Sequence, residues 1–168
     1  MSQSSRPGRK SGGRSGKKSR SLIGASRGLG FALAEEYLKR GWHVVATERA
    51  RTTSQLANLL RASDGRLEIE TVDIVYPDQV AALRARLASR KFDLLFVNAG
   101  VKNDDRETIA DVSTDEFMRV MTTNALSPMR VVETLQDLVL KGAFSTWITS
   151  AGRFRGECEN AYCRVLRK

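Results

Sequence analysis

The chain has 168 residues, a length typical of one domain and sufficient to bury a hydrophobic core. Its formal net charge is +9, and seven basic residues with no acidic residue fall within the first 20 positions. No run of about 18 apolar residues occurs, which argues against a membrane-spanning segment and a membrane partner. The first 20 residues also lack the apolar region of a secretory signal peptide.

Residues 1–20 are rich in Gly and Ser as well as in basic side chains, which predicts a disordered basic tail. Such a tail can bind nucleic acid by releasing counterions. The rest of the chain is nearly neutral, so nucleic acid is disfavoured as a partner. Cys158 and Cys163 are interpreted as thiols in a reducing compartment, which favours a cytoplasmic location. They lie far from the single His43, and we expect no metal site.

A glycine-rich stretch, Gly24 to Gly30, lies between two apolar segments. The polar residues 19–21 predict a short first strand that ends at Ile23, and residues 31–40 have helical apolar spacing. Gly24 is expected to adopt a positive φ in the turn. Gly28 leaves room for a pyrophosphate, and Gly30 lets the helix lie close to the strand. The first helical turn would then direct free N–H groups toward a bound phosphate.

The next segments alternate between strand and helix patterns. Strands are predicted over 42–47, 66–72, 92–97 and 143–149, and helices over 54–60 and 80–87, with Pro77 in the first turn of the second of these. Ser113 and Glu116 have the spacing of a capping box that opens a long helix. Pro128 is expected to kink or interrupt that helix.

This alternation predicts an α/β fold, a doubly wound parallel sheet of the Rossmann type with about five strands. Ligands of such sheets bind outside the carboxyl ends of the strands, where the glycine stretch lies. We divide the chain into the tail 1–20, a dinucleotide-binding domain 21–152, and an irregular tail 153–168. The last strand is expected to leave an unpaired apolar edge.

Several landmarks follow one another in a recognisable order. Gly24, Gly28 and Gly30 have the spacing Gly-x-x-x-Gly-x-Gly. Asp73 and Ile74 follow the third strand, and Asn98-Ala99-Gly100 follow the fourth, with Val97 before them. Asn124 lies in the long helix, and Ser150 lies in the segment Thr149-Ser150-Ala151-Gly152. Over residues 22–152 the sequence resembles the short-chain dehydrogenase/reductase family.

The resemblance implies hydride transfer between NAD(P)(H) and the carbon of a small carbonyl or alcohol substrate. In the family a Tyr exchanges a proton with the substrate oxygen, a Ser hydrogen-bonds that oxygen, and an Asn holds a water. These catalytic roles fall on Tyr162, Ser150 and Asn124. The implied cofactor-binding residues are Gly24, Ser26, Arg27, Gly28, Leu29, Gly30, Glu48, Arg49, Asp73, Ile74, Asn98, Ala99 and Gly100.

The end of the second strand bears on the choice between NAD and NADP. Glu48 is an acid of the kind that binds a ribose 2′-hydroxyl and repels a 2′-phosphate. Arg49 follows it, and Arg27 lies inside the glycine stretch; both positions resemble phosphate-binding arginines of NADP-preferring members. We therefore favour NADP, with NAD as the alternative.

The sequence departs from the family at its end. Leu166 stands four residues after Tyr162, where the family has Lys, and Lys168 is poorly placed to replace it. The family's later strands and helices, which build the substrate pocket and much of the dimer interface, have no counterpart, so we expect the C-terminal part of the fold to be missing. A non-catalytic dinucleotide-binding fragment or pseudoenzyme is thus the alternative to an active oxidoreductase, and a homo-oligomer is an open expectation.

Overall fold

The computed structural model describes residues 18–49, 55–103, 108 and 110–147, with the backbone alone for 142–147. Five strands are present in this part: β1 (Ser19–Ile23), β2 (His43–Glu48), β3 (Leu67–Thr71), β4 (Phe92–Val97) and β5 (Val139–Trp147). The helices are α1 (Gly28–Lys39), α2 (Gln55–Arg61), α3 (Pro77–Arg86), α4 (Thr114–Met121) and α5 (Ser127–Leu135).

The five strands form one parallel sheet in the order β3-β2-β1-β4-β5. The order reverses between β1 and β4, whose register pairs Leu22 with Phe96 and Ile23 with Val97. The predicted doubly wound parallel sheet is therefore confirmed. A crevice opens where strand order reverses, at the carboxyl ends of β1 and β4.

Helices cover both faces of this sheet because its strands carry apolar side chains on both faces. On one face Val80 of α3 and Val131 of α5 pack against Ile23 and Leu95. On the other face, side chains of α1 and α2, including Leu38 and Leu56, pack against β1, β2 and β4. Full burial of each such side chain stabilises the fold by roughly 1.5–3 kcal/mol.

Strand β1 begins at Ser19, earlier than its polar residues suggested, and spans five residues. Arg20 is accommodated at the start of this central strand because its guanidinium stacks over the Trp42 ring at 4.0 Å and pairs with Asp93 at 3.7 Å. The backbone N–H of Ser19 also donates to Asp93 Oδ2 at 2.8 Å. The expectation of a short first strand was therefore wrong, since the ring of Trp42, just before β2, and the carboxylate of Asp93 in β4 accommodate the Arg20 side chain at its start.

The signals for helix ends agree with the structure. Pro77 lies in the first turn of α3. The Ser113 side chain caps α4 by accepting a hydrogen bond from Glu116 N at 3.1 Å. The long helix is interrupted before Pro128 by a π-helical turn, Thr122–Leu126. A wide turn accommodates the missing N–H of proline without breaking the chain direction.

Strand β5 begins at Val139, four residues before the predicted start, after a 3-10 turn Gln136–Leu138. Val139 pairs with Phe92, and the register shifts between Phe92 and Leu94 before regular pairing resumes. The predicted last residues of this strand, 148 and 149, lie outside the described residues. Within the described sheet β5 has a neighbour on one side only, as expected for an edge strand.

No helix among the described residues is long and apolar enough to cross a bilayer.

Candidate functional site

The glycine turn begins where β1 ends. Gly24 has φ +85°, and a Cβ added to it would lie 2.6 Å from both the N and Cα of Ala99. A side chain is thus excluded twice, by conformation and by the closeness of the segment after β4. The positive φ predicted for Gly24 is confirmed.

Two neighbouring strands hold this turn in place. Gly24 N donates to Thr47 Oγ1 at 2.9 Å, and Ala25 N donates to the Thr47 carbonyl at 2.8 Å. From the other side, Asn98 Nδ2 donates to the Gly24 carbonyl at 3.0 Å. Both polar groups of the Gly24 backbone are therefore bonded, one toward β2 and one toward β4.

Gly30 allows α1 to start directly against the turn. A Cβ at this position would lie 2.2 Å from the Gly24 carbonyl oxygen and 2.9 Å from Asn98 Nδ2. Gly28 also has a positive φ, +57°, but an added Cβ would meet nothing within 4 Å. The N-cap residue Arg27 makes no side-chain capping bond. The first N–H groups of α1 thus carry a partial positive charge without a side-chain cap.

A groove with a volume of about 330 Å³ lies at the carboxyl ends of the strands. Every predicted cofactor-binding residue except Gly30 lines it. Four further residues that the sequence did not single out also line it: Thr47, Val72, Val101 and Thr123. The groove opens at the topological switch point, which is where sheets of this kind bind their ligands.

Charged residues stand at the β2 end of the groove. Glu48 is 5% exposed, and its Oε2 is buried without a hydrogen-bond partner in the described part of the chain. Arg49 and Arg27 line the groove and are exposed. The acid therefore lies inside the wall, while the two guanidinium groups belong to the solvent-accessible rim.

Asp73 and Ile74 form part of the groove after β3. Asp73 Oδ1 accepts from Val75 N at 3.0 Å, and the Asp73 backbone N donates to Gln79 Oε1 at 2.9 Å. These bonds fix the turn between β3 and α3. Asp73 is half-buried, so one face of its side chain is available to the groove.

Asn124 lies in the π-helical turn and is buried. Its Oδ1 accepts from Val101 N at 2.8 Å, and its Nδ2 donates to the Val101 carbonyl at 2.7 Å. Arg119, one turn earlier, donates to the Lys102 carbonyl at 3.0 Å. The long helix therefore holds the segment after β4 that forms one wall of the groove.

The remaining predicted catalytic residues, Ser150 and Tyr162, lie outside the described residues. The structure therefore places Asn124 against Val101 in the groove wall, and the arrangement of Asn124 with the other two stays a prediction. Among the described residues, no group of three or more His, Cys, Asp or Glu side chains could hold a metal ion.

Thr47 and Thr123 were missed because a threonine in a strand or helix carries no distinctive sequence signal. Position along the chain did carry a signal for three of the four, since Thr47, Val72 and Val101 each adjoin a residue already predicted to line the groove. The positions of Val72 and Val101 follow from the sheet order, which places the residues after β3 and β4 along one edge.

Comparison with known proteins agrees with this architecture. The family described as short chain dehydrogenase matches residues 21–163. The chain belongs to the short-chain dehydrogenase family. Among relatives, FixR of Bradyrhizobium diazoefficiens is 30% identical over 121 residues, covering 69% of this chain and 44% of that protein. The NADPH-dependent pterin aldehyde reductase of Arabidopsis thaliana is 29% identical over 148 residues, covering 84% of this chain and 60% of that protein.

Solved structures of short-chain dehydrogenases share the fold. A protein assigned as a short-chain dehydrogenase/reductase of Burkholderia multivorans, solved with bound NADP, is 54% identical with a TM-score of 0.77. The match covers 80% of this chain and 59% of that one. A carbonyl reductase of Pseudomonas aeruginosa PAO1 in complex with NADP is 29% identical with a TM-score of 0.75, covering 79% and 58% of the two chains. The present chain thus spans about three fifths of these structures.

Proposed function

We propose that this chain binds NADP in the groove and acts as a short-chain oxidoreductase, transferring hydride between NADP(H) and a small carbonyl or alcohol substrate. The observation that carries the proposal is the α1 N-terminus. It opens on the groove without a side-chain cap, and Gly28 leaves open space beside it. A pyrophosphate would satisfy these N–H groups and be attracted by the helix dipole. When bound, the reduced cofactor would donate a hydride to a carbonyl carbon, and the oxidised cofactor would accept one from an alcohol carbon.

The β2 end of the groove supports NADP rather than NAD. An acid that faces the ribose would repel a 2′-phosphate, but the Glu48 carboxylate is buried in the wall. Arg49 and Arg27 instead offer guanidinium groups to the solvent side, where a 2′-phosphate would lie. The NADP-bound structures and the NADPH-dependent relative described above agree with this preference.

Titrating the full 168-residue chain with NADPH and with NADH tests this preference. We expect tighter binding of NADPH, and Arg49→Gln should weaken NADPH roughly tenfold while leaving NADH unchanged, because one charge-assisted hydrogen bond is lost. Arg61→Gln is the matched control, since Arg61 is exposed at the end of α2 and does not line the groove. Tighter NADH binding, or equal effects of the two variants, would overturn the NADP preference.

The chemical step of the proposal belongs to Ser150, Tyr162 and Asn124. Tyr162 would exchange the proton, Ser150 would hydrogen-bond the substrate oxygen, and Asn124 would act from the π-helical turn, where it already holds Val101. Reduction of a panel of aldehydes and ketones with NADPH, compared with Tyr162→Phe, tests these roles. NADPH binding without any turnover, unchanged by Tyr162→Phe, would instead support the non-catalytic alternative.

The sequence left the oligomeric state open, with a homo-oligomer as one expectation, and the outer face formed by α4, the π-helical turn and α5 supports that expectation. Five large apolar side chains are exposed along this face: Phe117, Met118, Met121, Leu126 and Met129. Asp115 and Arg130 flank the two ends of the face, and neither makes an ion pair in the part of the chain that the structure describes. An antiparallel pairing of two copies would bring Asp115 of one beside Arg130 of the other, so we propose that a second copy covers this face. A cytoplasmic location stays a prediction.

Light scattering over a range of protein concentrations tests the assembly. Met121→Glu should dissociate the oligomer because it places a charge in the centre of the apolar face. Leu60→Glu on α2 is the matched control, since Leu60 is 41% exposed and Met121 is 44% exposed. A monomeric wild type, or dissociation by both substitutions, would contradict a homo-oligomer through this face.

A further inference from the structure

Thr47 of β2 hydrogen-bonds to the glycine turn through both its backbone and its side chain. It is 1% exposed, and it lines the groove between β1 and β2. Its hydroxyl accepts from Gly24 N and its carbonyl accepts from Ala25 N, at 2.9 and 2.8 Å. Two consecutive N–H groups of the turn are therefore tied to one residue.

These bonds act where the backbone direction changes. The paired register of β1 and β2 ends at Leu22 and Ala46, so no further ladder bond directs the Gly24 N–H. The hydroxyl of Thr47 replaces the missing ladder partner while Gly24 adopts φ +85°. The orientation of Gly24 in turn sets the path of Ser26 to Gly28 into α1, because Gly30 packs directly on the Gly24 carbonyl.

We infer that Thr47 is a positioning residue for the pyrophosphate. Its hydroxyl holds the glycine turn in place, and the turn directs the first N–H groups of α1 into the groove. This inference rests on the proposed dinucleotide binding. Valine has the shape of threonine without the hydroxyl, so Thr47→Val removes the hydrogen-bond acceptor of the part-buried Gly24 N–H. Thr47→Ser retains the acceptor with one methyl group fewer.

The test measures the affinity of the full chain for NADPH, which has a pyrophosphate, and for adenosine 2′-monophosphate, which has none. We expect Thr47→Val to weaken NADPH on the order of tenfold, to leave adenosine 2′-monophosphate unchanged, and to be rescued by Thr47→Ser. Equal NADPH affinity in wild type and Thr47→Val, or equal weakening of both ligands, would overturn the role of Thr47.

Wild-type chain that binds neither ligand would overturn the proposed function itself, and wild-type binding with an unaffected Thr47→Val would overturn only the inference. If Thr47→Val does not fold, Thr47→Ala provides the second variant without a hydroxyl. Selective loss of NADPH affinity in Thr47→Ala relative to Thr47→Ser supports the inference, and equal affinities in these two variants contradict it.

Discussion

Replacing Gly24 by alanine tests how tightly the turn is built. The added Cβ would lie 2.6 Å from two backbone atoms of Ala99, and the residue would keep φ +85°. Gly65 is a matched control because it also has a positive φ, +73°, whereas a Cβ there would meet nothing within 4 Å. The two variants share the conformational cost and differ in the steric one.

The expected magnitudes follow from these two terms. A non-glycine residue in the left-handed region lowers the free energy of unfolding by about 1–2 kcal/mol, and this applies to both variants. Overpacking against backbone costs about 1–3 kcal/mol more, and Gly24→Ala alone bears it because Ala99 belongs to the segment bonded to Ile23. A domain of this kind has only about 5–15 kcal/mol of stability, so the loss is large.

Urea unfolding followed by far-ultraviolet circular dichroism measures both variants under the same conditions. We expect the midpoint of Gly24→Ala to lie on the order of 1 M below that of Gly65→Ala. NADPH binding should be lost in Gly24→Ala and retained in Gly65→Ala, since only the former displaces the turn. Equal midpoints would show that the segment after β4 can move away from the added Cβ without lowering the free energy of unfolding. The steric reasoning would then be wrong.

Three further predictions concern single groups. Gly28→Ala should lower stability by only about 1–2 kcal/mol, yet weaken NADPH roughly tenfold in a titration, because its Cβ enters open groove space. Ser113→Ala should cost about 1 kcal/mol in urea unfolding because α4 loses its cap, whereas Ser113→Asp should cost less. The Arg84 hydrogen bond lowers the pKa of the Asp137 carboxyl in the folded protein from its ordinary 3.8. The ionised Asp137 therefore stabilises the fold above pH 3.8, and this stabilisation is lost as the pH falls through the lowered pKa. Urea unfolding measured at pH 3.8 and below should show a smaller fall in the free energy of unfolding for Asp137→Asn than for the wild type.

The order of strands and helices could be predicted because its signals are local. Apolar runs, glycine turns and Pro77 mark element ends whatever the chain does elsewhere. The start of β5 could not be predicted in this way. Leu135, Leu138 and Val139 continue a helical apolar spacing, and only pairing of Val139 with Phe92 of β4 makes this segment a strand. A contact between distant residues overrides a local pattern there.

The groove was predicted more completely than its supports. Glycines at the positions of Gly24 and Gly30 are informative because a Cβ would collide at each. Thr47 and Asn124 support the groove through hydrogen bonds to backbone atoms 23 residues away. Such partners depend on the three-dimensional register of neighbouring elements, which residue type alone does not specify.

Within the described part of the chain, the residues that line the groove fall between Gly24 and Thr123, and the proposed proton transfer depends on Ser150 and Tyr162. Cofactor affinity and turnover are therefore separable quantities for this chain. A Thr47 variant should change the first through the turn geometry, and a Tyr162 variant should change only the second. Because the two substitutions act on different steps, their combined effect on turnover at saturating NADPH should equal that of the Tyr162 variant alone. A larger combined effect would mean that the glycine turn also shapes the reacting end of the groove.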